Sequence, residues 1–146
     1  MKELIIIVPL ILGFLVGNFS RPDSWYLNLK KSPLTPPGYV FGIAWSILYI
    51  LIGISYYLGL RDKSIGYWVI PLIHLILNYA YTPLLFGYNR ILESSIITLL
   101  VLITAIIVMI LFYSYERMIS VYLLIPYILW LIFANYLSWS LYVLNK

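Results

Sequence analysis

The chain contains no cysteine among its 146 residues. Disulfides, thiolate catalysis, zinc–cysteine sites and iron–sulfur clusters are therefore excluded. Charge is also scarce, because Asp, Glu, Lys and Arg together make up 10% of the residues. A soluble domain carries about 25% charged residues. The hydrophobic fraction is 64% and the mean hydropathy is +1.00, and these values indicate an integral membrane protein.

Charged side chains are missing from the middle of every long apolar segment. All five acidic residues lie in predicted loops or at predicted helix ends. Ion-coupled transporters usually need an ionisable group inside the bilayer, and hydrolases need a nucleophile with a base or paired carboxylates. His74 is the one candidate of this kind, so hydrolysis and metal catalysis are disfavoured. The basic residues form no long run, so no nucleic-acid partner is expected.

Charged and polar residues separate five apolar segments, at residues 4–19, 39–60, 65–88, 92–113 and 118–144. A helix needs about 20 residues to cross the hydrocarbon core, whereas barrel strands have about 10 residues. We therefore predict an all-α membrane protein, one domain over residues 1–146, that forms a five-transmembrane-helix bundle with a lid-like first loop at 20–38. The alternative of a signal peptide over residues 1–19 is disfavoured, because no small-x-small cleavage site precedes Arg21.

Aromatic side chains recur at helical spacing in three segments. Residues three or four apart share a helix face. This spacing aligns Phe41, Trp45, Tyr49, Gly53 and Tyr56 in the second segment, His74, Asn78, Tyr81 and Leu85 in the third, and Tyr127, Trp130, Ala134 and Ser138 in the fifth. Grouped rings beside small residues suit a planar apolar ligand. Spacing by itself favours ordinary helix packing, in which small and aromatic residues also meet.

Gly13 and Gly17 form a G-x-x-x-G motif in the first apolar segment. Two glycines one turn apart let two helix backbones approach closely. The motif predicts either a homodimer seam or an intrachain contact and does not choose between them. His74 and Asn78 are four residues apart, and they favour an interhelical hydrogen bond over a haem axial ligand.

Several motifs follow one another along nearly the whole chain. They are Trp25-Tyr26, Lys31-Ser32-Pro33-Leu34-Thr35-Pro36-Pro37-Gly38, Phe41…Trp45…Leu48-Tyr49…Gly53, Leu77-Asn78 with Phe86-Gly87, and Leu124-Ile125-Pro126-Tyr127-Ile128-Leu129-Trp130…Phe133-Ala134. Together they resemble the signature of the TspO/translocator protein family, also called tryptophan-rich sensory proteins or peripheral benzodiazepine receptors.

This resemblance implies a five-helix bundle, often a homodimer, whose pocket opens towards the first loop. It implies porphyrins such as protoporphyrin IX or haem, sterols and benzodiazepine-type drugs as ligands, with no required cofactor. By matching motif, Trp45 and Trp130 would be the pocket tryptophans and Asn78 the polar contact. The resemblance assigns the lid to Trp25, Tyr26, Pro36 and Pro37, and the pocket wall to Tyr49, Tyr127 and Ala134. Trp139 stands where sterol-binding members carry tyrosine, which disfavours the eukaryotic mode of sterol binding.

The preferred hypothesis is a membrane receptor or binding protein for planar apolar ligands, above all porphyrins, with Lys30 or Lys31 near the mouth to meet propionates. The predicted ligand-binding residues are Trp25, Tyr26, Pro36, Pro37, Phe41, Trp45, Tyr49, Asn78, Tyr81, Tyr127, Trp130, Ala134 and Ser138. Three alternatives stay open: light-dependent porphyrin degradation through Trp45 and Trp130, a tetrapyrrole or sterol transporter, and a structural interaction module. The expected partners are the planar ligand, membrane lipid and a second copy of the chain through Gly13 and Gly17.

Overall fold

The computed structural model describes residues 2–146, so residue 1 of the predicted domain lies outside the described part. All regular secondary structure in that range is helical. Four helical segments are long and apolar enough to cross a membrane, and they cover Gly38–Leu60, Ile65–Gly87, Ile91–Ser114 and Met118–Asn145. A shorter apolar helix covers Val8–Phe19. The chain is therefore an all-α membrane bundle of four long helices and one short helix.

The helical elements follow the apolar segments with short irregular turns between them. In chain order they are a 3₁₀ turn at Lys2–Ile6, α1 (Val8–Phe19), α2 (Ser24–Leu27), α3 (Gly38–Leu60), a 3₁₀ turn at Ile65–Trp68, α4 (Val69–Thr82), a π turn at Pro83–Gly87, α5 (Ile91–Ser114) and α6 (Met118–Asn145). α2 is a single helical turn within the first loop, where the sequence predicted only a polar loop.

Prolines explain why two predicted helices are divided. Pro9 lies in the first turn of α1, where a residue without an N–H is tolerated, and the chain before it forms a 3₁₀ turn. Pro83 opens the π turn at the end of α4. Because proline has no N–H to donate to the carbonyl four residues earlier, the α-helical pattern ends there. The widened turn closes through the Tyr88 N–H, which donates to the Pro83 carbonyl at 3.0 Å.

The hydrophobic core occupies the half of the bundle that is remote from the first loop. Its most deeply buried large side chains are Ile52 and Tyr56 on α3, Phe112 on α5, and Leu124 and Tyr127 on α6. These positions belong to the end of α3, the end of α5 and the start of α6, which meet because successive helices are antiparallel. Fewer large side chains are fully buried in the half of the bundle nearer the first loop, and this difference positions the site.

A reciprocal pair of serines joins α3 to α6 within this core. The Ser55 hydroxyl donates to the Ser120 carbonyl at 2.9 Å, and the Ser120 hydroxyl donates to the Ser55 carbonyl at 2.7 Å. Small hydroxyl side chains let membrane helices approach closely while their polar atoms remain bonded. The pair fixes the register of the two helices that flank the site.

Charged residues outside the spans join two turns on the face opposite the first loop. The Arg117 guanidinium donates to the Asp62 carboxylate, and this bond holds the pKa of Asp62 below its ordinary value. The Lys63 ammonium lies 5.2 Å from the ring centroid of Tyr67 and 4.8 Å from that of Tyr115. These contacts tie the turn after α3 to the turn between α5 and α6.

Candidate ligand-binding site

A cavity of about 540 Å³ lies in the half of the bundle next to the first loop. This volume is within the range of about 300–1,000 Å³ that is usual for small-molecule sites. Helices α1, α3, α4, α5 and α6 all contribute side chains to its wall. The first loop contributes Pro22, Tyr26, Leu27, Lys31, Ser32, Thr35 and Pro36.

One wall of the cavity is an aromatic stripe on α3. Phe41, Trp45 and Tyr49 follow one another at four-residue spacing and all three line the cavity. The ring centroids of Trp45 and Tyr49 are 5.3 Å apart. Gly13 of α1 lies directly against the Tyr49 ring, and a methyl group at that position would overlap the ring. The first glycine of the G-x-x-x-G motif therefore makes an intrachain contact.

The floor of the cavity carries one amide held by two tyrosines. The Tyr49 hydroxyl donates to Asn78 Oδ1 at 2.8 Å, and Asn78 Nδ2 donates to the Tyr127 hydroxyl at 2.6 Å. Asn78 lines the cavity, whereas Tyr127 is completely buried behind it. Because the oxygen and the nitrogen of this amide are both hydrogen-bonded, the side chain of Asn78 has a fixed orientation. The second Nδ2 hydrogen of Asn78 is left as a donor for a ligand.

The first loop is held in shape by its own charged groups. The Asp23 carboxylate accepts a bond from the Tyr26 N–H at 3.2 Å and caps α2. At the other end of α2, the Lys31 ammonium donates to the carbonyls of Tyr26 at 2.8 Å and of Leu27 and Leu29 at 3.3 Å. Burial raises the pKa of the Tyr26 phenol, which therefore stays neutral. Lys31 thus has a structural role at the mouth of the cavity.

Two polar contacts attach the first loop to α6. The Asn145 side chain accepts a bond from the Lys30 N–H at 2.9 Å and donates one to the Lys30 carbonyl at 2.7 Å. The hydroxyls of Ser32 and Tyr136 are 2.8 Å apart. The loop also meets the end of the third long segment, since the ring centroids of Tyr26 and Phe86 lie 4.9 Å apart.

Known proteins share this sequence pattern. A sequence model of the TspO/MBR family matches residues 5–144. The chain belongs to the TspO/MBR family. An uncharacterised membrane protein of Bacillus subtilis is 39% identical over 131 residues, covering 87% of this chain and 84% of its own. The tryptophan-rich protein TspO of Bacillus cereus is 36% identical over 132 residues, covering 87% and 84%. The translocator protein of Bos taurus is 29% identical over 149 residues, covering 96% and 87%.

Membership of the TspO/MBR family confirms the resemblance that the motifs indicated. It also agrees with an integral membrane protein, because the bundle has four helices able to cross a bilayer. The names of its relatives include tryptophan-rich sensory protein and translocator protein. Receptor and sensory roles fit those names.

Most of the predicted site residues of this TspO/MBR protein lie together around the cavity. The residues that line it are Tyr26, Pro36, Phe41, Trp45, Tyr49, Asn78, Tyr81 and Ala134. Trp25 and Pro37 belong to the first loop but are not among the lining residues. Tyr127 and Ser138 are buried between helices, where the Ser138 hydroxyl lies 2.8 Å from that of Ser95.

Trp130 lies one layer behind the cavity wall rather than in it. Its ring packs edge to face against Phe41 at 5.9 Å and Trp45 at 6.5 Å between centroids, and its indole N–H is buried with no hydrogen-bond partner in the described chain. Because an indole at this position supports the ring of Trp45, it affects the cavity through that ring. The position next to it, Leu131, lines the cavity instead.

Sequence reasoning missed the contributions of α1 and α5 to the TspO/MBR cavity. Val16 and Gly17 line it from α1, and Thr98 and Val101 line it from α5. The hydroxyl residues Ser94, Ser95 and Thr98 at the start of a mostly aliphatic helix were a usable signal, because buried polar groups in a membrane face other helices or a cavity. No comparable signal marks Val16.

Proposed function

We propose that this TspO/MBR-family protein is a membrane receptor that binds a planar apolar ligand, with porphyrins such as protoporphyrin IX or haem as the preferred class. The observation that carries the proposal is the aromatic cavity of about 540 Å³ beneath the first loop. Rings on α3 offer flat contact area, and a planar ligand needs such surface together with a few polar groups that orient it. Asn78 supplies one oriented donor at the floor.

We further propose that α1 forms a fifth span. At 1.5 Å per residue the 12 residues of α1 extend about 18 Å, and at 2.0 Å per residue the five-residue 3₁₀ turn before it adds about 10 Å. Their combined length of roughly 28 Å approaches the hydrocarbon thickness of about 30 Å. The 3₁₀ turn at Lys2–Ile6 therefore belongs to the proposed spanning element, although its helix type differs from that of α1.

The first loop is proposed to act as a lid over this cavity. Its lining residues lie at one end of the cavity, and its backbone is attached to α6 through Lys30 and Asn145. These two bonds and the Ser32–Tyr136 contact are few and partly exposed, so they suit an element that opens. Release of the loop would give a ligand access without disturbing the core.

The test of the binding function is a titration of the detergent-solubilised protein with protoporphyrin IX, followed by the absorbance of the porphyrin. Trp45→Leu removes the central ring of the wall, and we expect affinity to fall by about tenfold or more, corresponding to at least ~1.4 kcal/mol. Trp139→Leu is the matched control, because Trp139 lies outside this cavity. Equal affinities for the wild type and Trp45→Leu would refute the site.

A second test fills the cavity without replacing an aromatic residue. Gly17 and Gly42 line the cavity, and a Cβ atom added at either position would meet no atom within 4 Å. The backbone therefore has room for a side chain at both positions, and Gly17→Leu and Gly42→Leu should weaken porphyrin binding by occupying ligand volume, provided that their thermal unfolding matches that of the wild type. Gly66→Leu is the control, since Gly66 has equal room but lies in the turn before α4. Unchanged binding in both cavity variants would place the ligand elsewhere.

A further inference from the structure

A chain of buried hydrogen bonds runs from the cavity floor into the core. Asn78 Nδ2 donates to the Tyr127 hydroxyl at 2.6 Å, and that hydroxyl lies 2.8 Å from His74 Nε2. On the other side of the imidazole, His74 Nδ1 lies 2.6 Å from the Tyr56 hydroxyl, which is 3.2 Å from the Pro71 carbonyl. The side chains of His74, Tyr56 and Tyr127 are no more than 1% exposed.

The available donors and acceptors fix the direction of each hydrogen bond in this series. The Pro71 carbonyl can only accept, so Tyr56 donates to it and accepts from His74 Nδ1–H. A neutral imidazole has a single N–H, so Nε2 is the acceptor and Tyr127 donates to it. Asn78 Nδ2 then supplies the donor to the oxygen of Tyr127. His74 Nε2 is therefore an unprotonated nitrogen that accepts the phenolic hydrogen of Tyr127.

Two tyrosines contact Trp45, the central ring of the cavity wall, and they differ in their proton acceptors. Tyr49 is nearer, with ring centroids 5.3 Å apart, but its hydroxyl donates to the amide oxygen of Asn78. Tyr127 is 6.2 Å away and its hydroxyl faces the imidazole of His74. An amide oxygen is a very weak base, whereas the unprotonated nitrogen of a neutral imidazole is a much stronger one. Only Tyr127 can therefore lose its proton together with an electron.

We propose that Tyr127 and His74 form a proton-coupled redox pair that reduces Trp45 again after Trp45 has lost one electron. The oxidant is a light-excited planar ligand that has given one electron to dioxygen, and the resulting ligand cation removes one electron from the Trp45 indole. Tyr127 then returns an electron to the indole radical cation while its phenolic proton moves to His74 Nε2. The products are superoxide, the restored ligand and indole, a neutral Tyr127 phenoxyl radical and a His74 imidazolium.

This transfer moves the oxidising equivalent from the cavity wall to a completely buried side chain. At the wall, the Trp45 radical is exposed to dioxygen and to the ligand, which would lead to irreversible indole oxidation. At Tyr127 the radical is enclosed by helix packing. The identity of the oxidant rests on the proposed ligand function, whereas the redox pair itself depends only on the contacts among Trp45, Tyr127 and His74.

The experiment therefore uses no ligand. A protein in which Trp25, Trp68, Trp130 and Trp139 are replaced by phenylalanine retains Trp45 as its single indole. An ultraviolet flash ejects an electron from that indole, hexaamminecobalt(III) accepts the electron without forming an oxidising radical, and transient absorption distinguishes the indole radical from a phenoxyl radical. We expect the indole radical to convert into a phenoxyl radical. Tyr127→Phe should slow this conversion by about tenfold or more, equivalent to at least ~1.4 kcal/mol in the barrier.

Three further variants separate the redox pair from its alternatives. Tyr49→Phe removes the nearer ring, and Tyr79→Phe removes a phenol that donates to the Pro9 carbonyl at 2.8 Å, and both should retain the conversion. His74→Gln keeps a polar side chain but provides no base, and it should slow the conversion as much as Tyr127→Phe does. An unchanged conversion rate in Tyr127→Phe or in His74→Gln would overturn the proposal, and so would loss of the conversion in Tyr49→Phe.

A kinetic isotope measurement keeps the proposal testable if the single-tryptophan protein does not fold. The chain with all five tryptophans is oxidised by pulse-generated azide radicals, which attack indoles, after long incubation in D₂O or H₂O. Formation of the phenoxyl radical should be slower in D₂O than in H₂O, and Tyr127→Phe should abolish this difference. Equal rates of formation in the two solvents would contradict proton coupling. Porphyrin binding plays no part in either experiment, so failure of the ligand proposal and failure of the redox pair give different results.

Discussion

Replacement of Asn145 by alanine tests directly whether the first loop acts as a lid. The Asn145 side chain makes two hydrogen bonds to the backbone of Lys30, at 2.9 and 2.7 Å, and neither residue lines the cavity. The substitution removes both bonds, together with a bond from Asn145 Nδ2 to the Leu141 carbonyl within α6 at 2.8 Å, and it leaves the loop sequence and the side chains of the cavity wall unchanged. Because the bond to Leu141 lies within the last turn of α6, we expect any effect on a ligand to come from the attachment of the loop.

The expected magnitude follows from the exposure of these bonds. A hydrogen bond contributes about 0.5–1.5 kcal/mol net, and two exposed ones near the lower limit give about 1 kcal/mol. With RT of about 0.59 kcal/mol, this energy shifts the ratio of closed to open loop about fivefold. Because the attachment involves no lining residue, opening becomes easier both before and after a ligand binds. Association and dissociation should then accelerate equally, and the dissociation constant should stay the same.

The assay is stopped-flow measurement of protoporphyrin IX association and dissociation, with an excess of a porphyrin-binding apoprotein as the trap. Asn28→Ala is the matched control, since Asn28 belongs to the same loop and its side chain has no hydrogen bond within residues 2–146. Amide hydrogen exchange of the loop checks that Asn145→Ala has loosened it. Faster exchange combined with unchanged ligand rates would refute the lid, because the loop would then move without controlling access.

Two further predictions concern the stability of the bundle. Gly13→Ala places a methyl group against the Tyr49 ring and should lower the free energy of unfolding by about 1–3 kcal/mol. Gly17→Ala meets open space and should have little effect; the reverse order in thermal unfolding would contradict an intrachain role for the motif. The pKa of Asp62 is lowered in the folded protein. Its bond to Arg117 therefore stabilises the fold fully at pH values above 3.8, the ordinary pKa of an Asp carboxyl. That contribution is lost as pH falls through the lowered folded pKa, so the wild type and Asp62→Asn should differ in melting temperature at neutral pH and converge in acid.

Spacing in the sequence was sufficient for the aromatic wall on α3. Phe41, Trp45 and Tyr49 share a face because this helix is regular from Gly38 to Leu60 and contains no proline. A four-residue step then keeps three successive side chains on nearly the same side, and the structure brings all three to the cavity. Hydropathy likewise predicted the long apolar helices, since the bilayer imposes their length.

Spacing was insufficient on α6, where two adjacent residues competed for the cavity. Counting from Tyr127, a step of three reaches Trp130 and a step of four reaches Leu131, and both steps are compatible with one helix face. The outcome depends on the crossing of α6 with α3, because Phe41 and Trp45 already occupy the space on that side. Trp130 packs behind those rings, and the smaller Leu131 lines the cavity. Such a choice depends on tertiary packing, which local periodicity does not contain.

The two ends of the cavity depend on different parts of the bundle, and this separation has a kinetic consequence. Asn78 is oriented from the core side by Tyr127. The position of Tyr127 is fixed in turn by its hydrogen bond to His74. The loop at the other end is attached to α6 by Asn145, which makes no hydrogen bond to Asn78, Tyr127 or His74. Opening the loop therefore leaves the floor donor in place. Substitutions at Tyr127 should change ligand affinity, whereas substitutions at Asn145 should change only the rates of binding and release, so a Tyr127→Phe variant with altered rates but unaltered affinity would contradict this division.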